Sequence, residues 1–321
     1  MLTRRAGFAL AAGMALVASR SPAAHAAAAS TVKTPVNFPI PAGACDSHVH
    51  VFPDPARFPF WSGRGYTPPL ATATDLLALQ RAMHMDRVVI VTPSVYGTDN
   101  RAMLDGMRQL GAKRARGVAV IGPETTRAEI DAMARAGVRG IRVNLESNGV
   151  TDPQAAGAKF DAAVTQLKGT NWHIQLYARL PLIVALKDRF VNAPMPVVFD
   201  HFAGAKASLG VNQSGFDTVL ELVRSGRAYV KISGAYRASD EAPDYPKVAD
   251  LARALIGTNP DRLVWGSDWP HPGPPGKTPM DINRPFQVDD GRLLNLVGEW
   301  TSDQAVRRKI LVDNPARLYG F

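Results

Sequence analysis

Two short segments carry residue types that can do chemistry together. Asp46-Ser47-His48-Val49-His50 holds two histidines two positions apart, and Trp265-Gly266-Ser267-Asp268-Trp269-Pro270-His271 places an acid behind an apolar run. Residues two apart on an extended strand project to the same side, so His48 and His50 share a face. Imidazoles donate or accept hydrogen bonds and ligate metals. A carboxylate within their reach can take a proton from water. Together the segments point to an enzyme site assembled from both ends of the chain.

Polar residues follow other apolar runs in the same way. In chain order they are Ser94, Tyr96 and Asn100; Arg142 and Asn144; Gln175 and Tyr177; Asp200 and His201; Lys231 and Ser233, followed by Arg237; and Asp268. His84 reads as a surface or packing histidine. His271 reads as a rim or exposed residue on a rigid loop from Trp269 to Pro275.

The elements that must position these groups alternate regularly. Strands are expected at 44–49, 87–92, 116–121, 140–144, 173–177, 196–199, 228–232 and 262–265. Helices are expected at 73–85, 100–110, 127–136, 155–168, 183–190, 216–225, 245–255 and 302–311, with a turn or helix from Asn314. Runs such as Val88-Val89-Ile90-Val91 suit a buried parallel sheet. Eight such units favour a closed (β/α)8 TIM-type barrel of a single domain over 44–321. No Gly-x-Gly-x-x-Gly or Walker-type loop is present, which argues against a nucleotide-binding sheet. In a barrel the C-terminal strand ends form one rim, and the polar residues above fall there.

Composition bounds the rest. Of the 321 residues 46% are hydrophobic, enough for a sizeable core. Cys45 is the single cysteine, so no intrachain disulfide can form, and a small buried residue is its expected role. Residues 1–26 read as an export signal: Arg4 and Arg5, then an apolar run from Phe8 to Ala18, then Ala24-His25-Ala26 for cleavage. The start resembles a twin-arginine signal, which implies a periplasmic or exported protein without stable membrane association once the signal is removed. An uncleaved membrane anchor is the alternative. Residues 27–43 read as a linker and arm. Removing Arg4, Arg5 and Arg20 lowers the +9 net charge by those three, and the remaining charge is scattered. Nucleic acid is therefore not an expected partner. A small acidic substrate fits the mild basic excess.

The ordered set of His48-Val49-His50, Pro93 to Asn100, Gly140 to Asn144, Asp200-His201, Lys231 to Arg237 and Gly266 to Pro270 resembles the amidohydrolase superfamily. It is most similar to the branch of sugar-acid and dicarboxylate lactonases that includes 2-pyrone-4,6-dicarboxylate lactonase. That resemblance implies a hydrolase opening the lactone of an acidic small molecule. Asp268 would be the general base for water, with His48, His50 and His201 as donors to the developing oxyanion. Arg142 and Arg237 would hold substrate carboxylates, and Tyr66, Ser94, Tyr96, Asn100 and Tyr177 would complete the anion pocket.

Many metal-bearing relatives use another histidine at the end of strand five, where this chain has Tyr177, with His173 at the opposite end. The resemblance thus implies no required metal. Zinc or manganese on His48, His50, His201 and Asp268 is the alternative, in a metal-dependent amidohydrolase or decarboxylase. A non-catalytic exported binding protein is the reading from another class. Dicarboxylate lactonases carry a further arginine shortly after the strand-four one. Glu146 and Asn148 occupy that region here, which leaves other acidic lactones open.

Overall fold

The computed structural model describes residues 32–321; the expected export signal lies outside the described residues. Eight strands form: β1 Cys45–Val49, β2 Arg87–Val91, β3 Ala115–Ala119, β4 Val138–Asn144, β5 His173–Tyr177, β6 Val197–Phe199, β7 Ala228–Lys231 and β8 Leu263–Val264. They lie in one sheet in chain order, and every adjacent pair is parallel. The chain just past β8 pairs with β1 and completes the ring. Ser47 N donates to Trp265 O at 2.9 Å, Asp268 N to His48 O at 2.8 Å, and His50 N to Trp269 O at 2.8 Å. The expected (β/α)8 barrel is present.

Side-chain parity sorts the strands into two layers. Cys45, Val89, Val91, Val118, Val198 and Val264 form one buried cluster. Val88, Ile90, Ile141, Ile174, Val197 and Val230 belong to the second, larger one, which takes in the helices. The split follows from alternation along each strand. In β1 the register to β2 slips between Asp46 and Val49. One extra residue there lets Cys45 and the pair His48 and His50, of opposite parity, both serve the interior. Asp46 locks this seam: it accepts from Ser267 N at 2.9 Å, Ser267 Oγ at 2.7 Å and Gln80 Nε2 at 3.1 Å. Gly266 sits so close to β1 that a Cβ would lie 2.7 Å from the His48 backbone nitrogen, hence a residue without a side chain.

Of the departures from the expected helices, three are the largest. The 183–190 helix is two short ones, Leu180–Ala185 and Lys187–Asn192. The 302–311 helix is Gln304–Arg308 followed by a wide turn, Lys309–Asp313, while the turn or helix expected from Asn314 is the helix Asn314–Tyr319. An unexpected helix, Asp290–Trp300, is capped by the Asp289 carboxylate. That carboxylate also accepts from Lys33 N, Thr34 N and Thr34 Oγ1 at 3.0, 2.9 and 2.5 Å. Asn295 exchanges hydrogen bonds with Asn37 N and Pro35 O. From residue 32 on, the expected linker is therefore a docked arm. No helix among the described residues is long and apolar enough to cross a membrane.

Candidate active site

Asp268 is the centre of the rim. Its backbone φ of +65° and that of His201, +47°, lie in the left-handed region. Such conformations cost about 1–3 kcal/mol and persist only where surroundings impose them. The two carboxylate oxygens of Asp268 have different duties. Oδ2 accepts from the Tyr236 hydroxyl at 2.5 Å and from Arg237 Nε at 2.5 Å. Oδ1 is buried without a hydrogen-bond partner. His48 Nε2 and His50 Nε2 each lie 3.6 Å from Oδ1, and His201 Nε2 lies 3.8 Å from Oδ2. The single open oxygen thus faces a cluster of imidazoles.

The far edge of each ring sets what its near edge can do. His50 Nδ1 lies 2.8 Å from Val91 O. A carbonyl only accepts, so Nδ1 carries the proton and the neutral ring offers a lone pair at Nε2. His50 is an acceptor here, which corrects its expected role as a donor. His201 Nδ1 meets Ser233 Oγ at 3.0 Å, and a hydroxyl can serve either tautomer. His48 Nδ1 lies 3.2 Å from Lys231 Nζ and 3.3 Å from Asp200 Oδ1. Lys231 also donates to Gln175 Oε1 at 2.7 Å and Ser47 O at 3.0 Å. His48 Nδ1 thus stands between a donor, the Lys231 ammonium, and an acceptor, the Asp200 carboxylate. In the tautomer that accepts from Lys231, the His48 proton is on Nε2 and points into the site.

Burial pushes the His50 and His201 imidazoles down to about 4, so both are neutral at pH 7. His48 is held well below its ordinary value by burial and then by the Lys231 ammonium. Burial also pushes Lys231 down to about 8. For Asp268, burial favours the protonated acid, but the charge of the Arg237 guanidinium outweighs it. Its carboxyl stays well below the usual carboxylate range.

Most of the expected pocket residues gather here. Arg142 uses Nε on Asp200 at 3.2 Å and lies over the Tyr177 ring, 5.4 Å from its centroid. Tyr177 meets the His201 ring edge-on at 5.1 Å. Tyr66 lies near Ser94, Arg142, Arg237 and Asp268, and burial pushes its phenol up to about 12. Tyr96 stands behind it in an aromatic wall with Phe52 and Phe60. Asn100 serves the fold instead. Its carbonyl accepts from Thr92 Oγ1 and Val120 N, and its amide donates to Thr98 O and Val120 O. No hydrogen-bonding position of Asn100 remains for a substrate. Asn144 accepts from Ser147 N in a turn. Glu146 forms a bidentate pair with Arg179, at 2.7 and 2.8 Å.

The sequence reading missed Tyr236 as a ligand of Asp268, although it directly precedes Arg237. His271, expected at the rim or exposed, is fully buried and stands behind Tyr236. A divalent ion has a plausible donor set. The ligand atoms of His48, His50 and Asp268 lie within 4.8 Å of one another, as do those of His48, Asp200 and His201. His48 Nε2 and Asp268 Oδ1 are both buried without partners. Two imidazole nitrogens and a carboxylate oxygen are a chemically suitable set.

The sequence profile described as Amidohydrolase matches residues 45–321. A 4-sulfomuconolactone hydrolase from Rhizobium radiobacter is 36% identical over 293 residues, covering 89% of this chain and 93% of that protein. A 2-pyrone-4,6-dicarboxylate hydrolase from Comamonas testosteroni is 34% identical, covering 88% and 92%. Among solved structures, a putative 2-pyrone-4,6-dicarboxylic acid hydrolase from Pseudomonas putida superposes with a TM-score of 0.73 at 30% identity, covering 88% of this chain and 98% of that one.

Proposed function

The chain belongs to the amidohydrolase family, and we propose that it hydrolyses the lactone of a small acidic molecule, with Asp268 as general base. The observation that carries this reading is the division of labour on Asp268. Oδ2 is held by Tyr236 and Arg237, while Oδ1 is open among the imidazoles. The relatives act on 4-sulfomuconolactone and 2-pyrone-4,6-dicarboxylate, both bearing acid groups.

The chemistry follows from the tautomers. A water in the site donates one proton toward Asp268 Oδ1 and the other toward the His50 Nε2 lone pair. Asp268 takes the first proton as the water oxygen attacks the lactone carbonyl carbon. The carbonyl π pair moves to oxygen, and the His48 Nε2–H stabilises the resulting oxyanion. When the intermediate collapses, the ring C–O bond breaks and the departing oxygen takes the proton back from Asp268. The product is the ring-opened acid, and the base is restored. Arg142 and Arg237 each use Nε on a protein carboxylate, which fixes the guanidinium planes. Their other N–H donors suit a substrate acid.

The proposed route uses no metal. A divalent ion would be held by His48, His50 and Asp268, and when bound it would supply Lewis-acid polarisation of the carbonyl. The metal-free reading is supported by the Lys231 contact, which favours the tautomer with the His48 proton rather than its lone pair facing the site. The test is hydrolysis of acidic lactones and their neutral counterparts by metal-stripped protein, with metal content assayed on the same sample. Turnover of the acidic members, unchanged by stripping, is expected. Activity that returns only with added zinc or manganese would overturn the metal-free route. Absence of turnover on every lactone would overturn the lactonase itself.

A further inference from the structure

His271 lies three residues beyond Asp268, also with a positive φ, +60°. Its ring and the Asp290 carboxylate are both wholly shielded from solvent, and Nε2 stands 2.9 Å from Asp290 Oδ1. On the other edge, Nδ1 stands 3.3 Å from the Tyr236 hydroxyl, and the rings meet edge-on at 5.3 Å. The Tyr236 hydroxyl in turn donates to Asp268 Oδ2. A chain of three contacts thus runs from the first residue of helix Asp290–Trp300 to the centre of the site.

Taken as hydrogen bonds, the three contacts have one consistent set of directions. A tyrosine hydroxyl has one proton, and the 2.5 Å contact to the Asp268 carboxylate uses it. Toward His271 the phenol oxygen can then only accept, so Nδ1 carries a proton. The Nε2 to Asp290 contact holds one proton between two heavy atoms, whichever of them carries it. In either case Nδ1 remains the donor. A phenol that accepts one hydrogen bond while donating another is held at both ends and is a stronger donor.

We infer that His271, oriented by Asp290, is a positioning residue that fixes the Tyr236 hydroxyl on Asp268 Oδ2 and so keeps Oδ1 as the oxygen presented to substrate. This rests on the reading of Asp268 as the base, but assigns to His271 and Asp290 a role of their own. Without the His271 donor the phenol can turn away. The Asp268 carboxylate is then tied only through Arg237 and can rotate its oxygens out of place. The effect falls on the reaction step and leaves the anion-holding residues alone.

The experiment is a double-mutant cycle on His271 and Tyr236, with 2-pyrone-4,6-dicarboxylate and 4-sulfomuconolactone as substrates. His271→Leu and Tyr236→Phe should each lower kcat by about tenfold, the effect of one buried hydrogen bond, with KM little changed. If His271 acts through the phenol, the double variant loses no more than the worse single one. His271→Asn should recover most of kcat, because its amide nitrogen stands the same number of bonds from Cα as Nδ1. Additive losses, or an asparagine no better than leucine, would overturn the inference. Asp268→Asn run in parallel separates the two ideas: turnover surviving there refutes the base assignment, not the positioning. A readout independent of turnover and of the leucine variant's folding is the imidazole 15N spectrum of the wild-type protein. His271 Nδ1 should show the shift of a protonated nitrogen and move in Tyr236→Phe. A lone-pair shift at Nδ1 would sink the proposal.

Discussion

Asp268→Asn is the sharpest test of the proposed chemistry, because the structure says where each atom of the new side chain must go. Oδ2 receives two donors, Tyr236 and Arg237. Only an acceptor satisfies them, so the amide oxygen takes that place. The amide nitrogen is forced into the position of Oδ1, next to His48 and His50. The substitution therefore keeps the scaffold bonds and replaces only the open oxygen, with a group that cannot accept a proton. General-base catalysis contributes about 10²- to 10⁴-fold, which is about 3–5 kcal/mol of barrier. The loss should appear in kcat, measured by following ring opening spectrophotometrically on the acidic lactone used fastest. Binding of an acidic product analogue, measured by calorimetry, should hold or tighten, since one negative charge has left the pocket. A kcat within about tenfold of wild type would place the loss below that range and refute the assignment. Weakened analogue binding would show that Asp268 anchors the ligand.

Three further outcomes are expected. Arg237→Met should reduce kcat/KM on acidic lactones by about 10- to 100-fold more than on neutral ones, the range of a lost charge-assisted hydrogen bond; equal losses on both would make its role structural. His173 is buried at the end of the barrel away from the site, and burial pushes its imidazole from 6.5 down to about 3. The unfolded chain therefore binds a proton between those values that the folded one does not, and stability falls as pH drops through that window. His173→Leu should flatten the dependence of Tm on pH between about 3 and 6.5, and calorimetry showing an unchanged slope would contradict this account. Asp289→Ala removes a helix cap worth about 1–2 kcal/mol and the anchor of Lys33 and Thr34. It should lower Tm and expose the arm to limited proteolysis, and an arm still resistant to protease would show that Asn37 and Asn295 suffice.

The barrel was legible because its strands are apolar runs placed between amphipathic helices, a pattern that survives without tertiary information. The site was legible where the strand itself sets direction, as for His48 with His50 and for Arg142, Gln175 and Tyr177. Legibility failed where an interaction is made by residues far apart in sequence. Helix Asp290–Trp300 opens with Asp-Asp-Gly, which reads as a turn. The glycine is needed because a Cβ at Gly291 would meet the Thr34 carbonyl oxygen of the docked arm. Asn100 looked like a pocket residue because its type suits one, and only the backbone of Val120, just past β3, shows it to be used up. The donor and acceptor roles of the histidines depend on Val91 O, Ser233 and Lys231 behind them, which no local pattern reveals.

The seam between the two ends of the sheet has a kinetic side. Ser267 and Asp46, which bond across it, are 221 residues apart in the chain, and Asp268 sits one residue further on. Contacts of such long range carry the largest entropic cost of closure and contribute most to slow folding. Seven of the strand neighbours can pair as the chain is made, but the eighth requires both termini of the domain. During refolding, secondary structure and core fluorescence should therefore recover before enzymatic activity does. A partial opening of this one seam, with the other seven ladders intact, would silence the enzyme while leaving it outwardly folded.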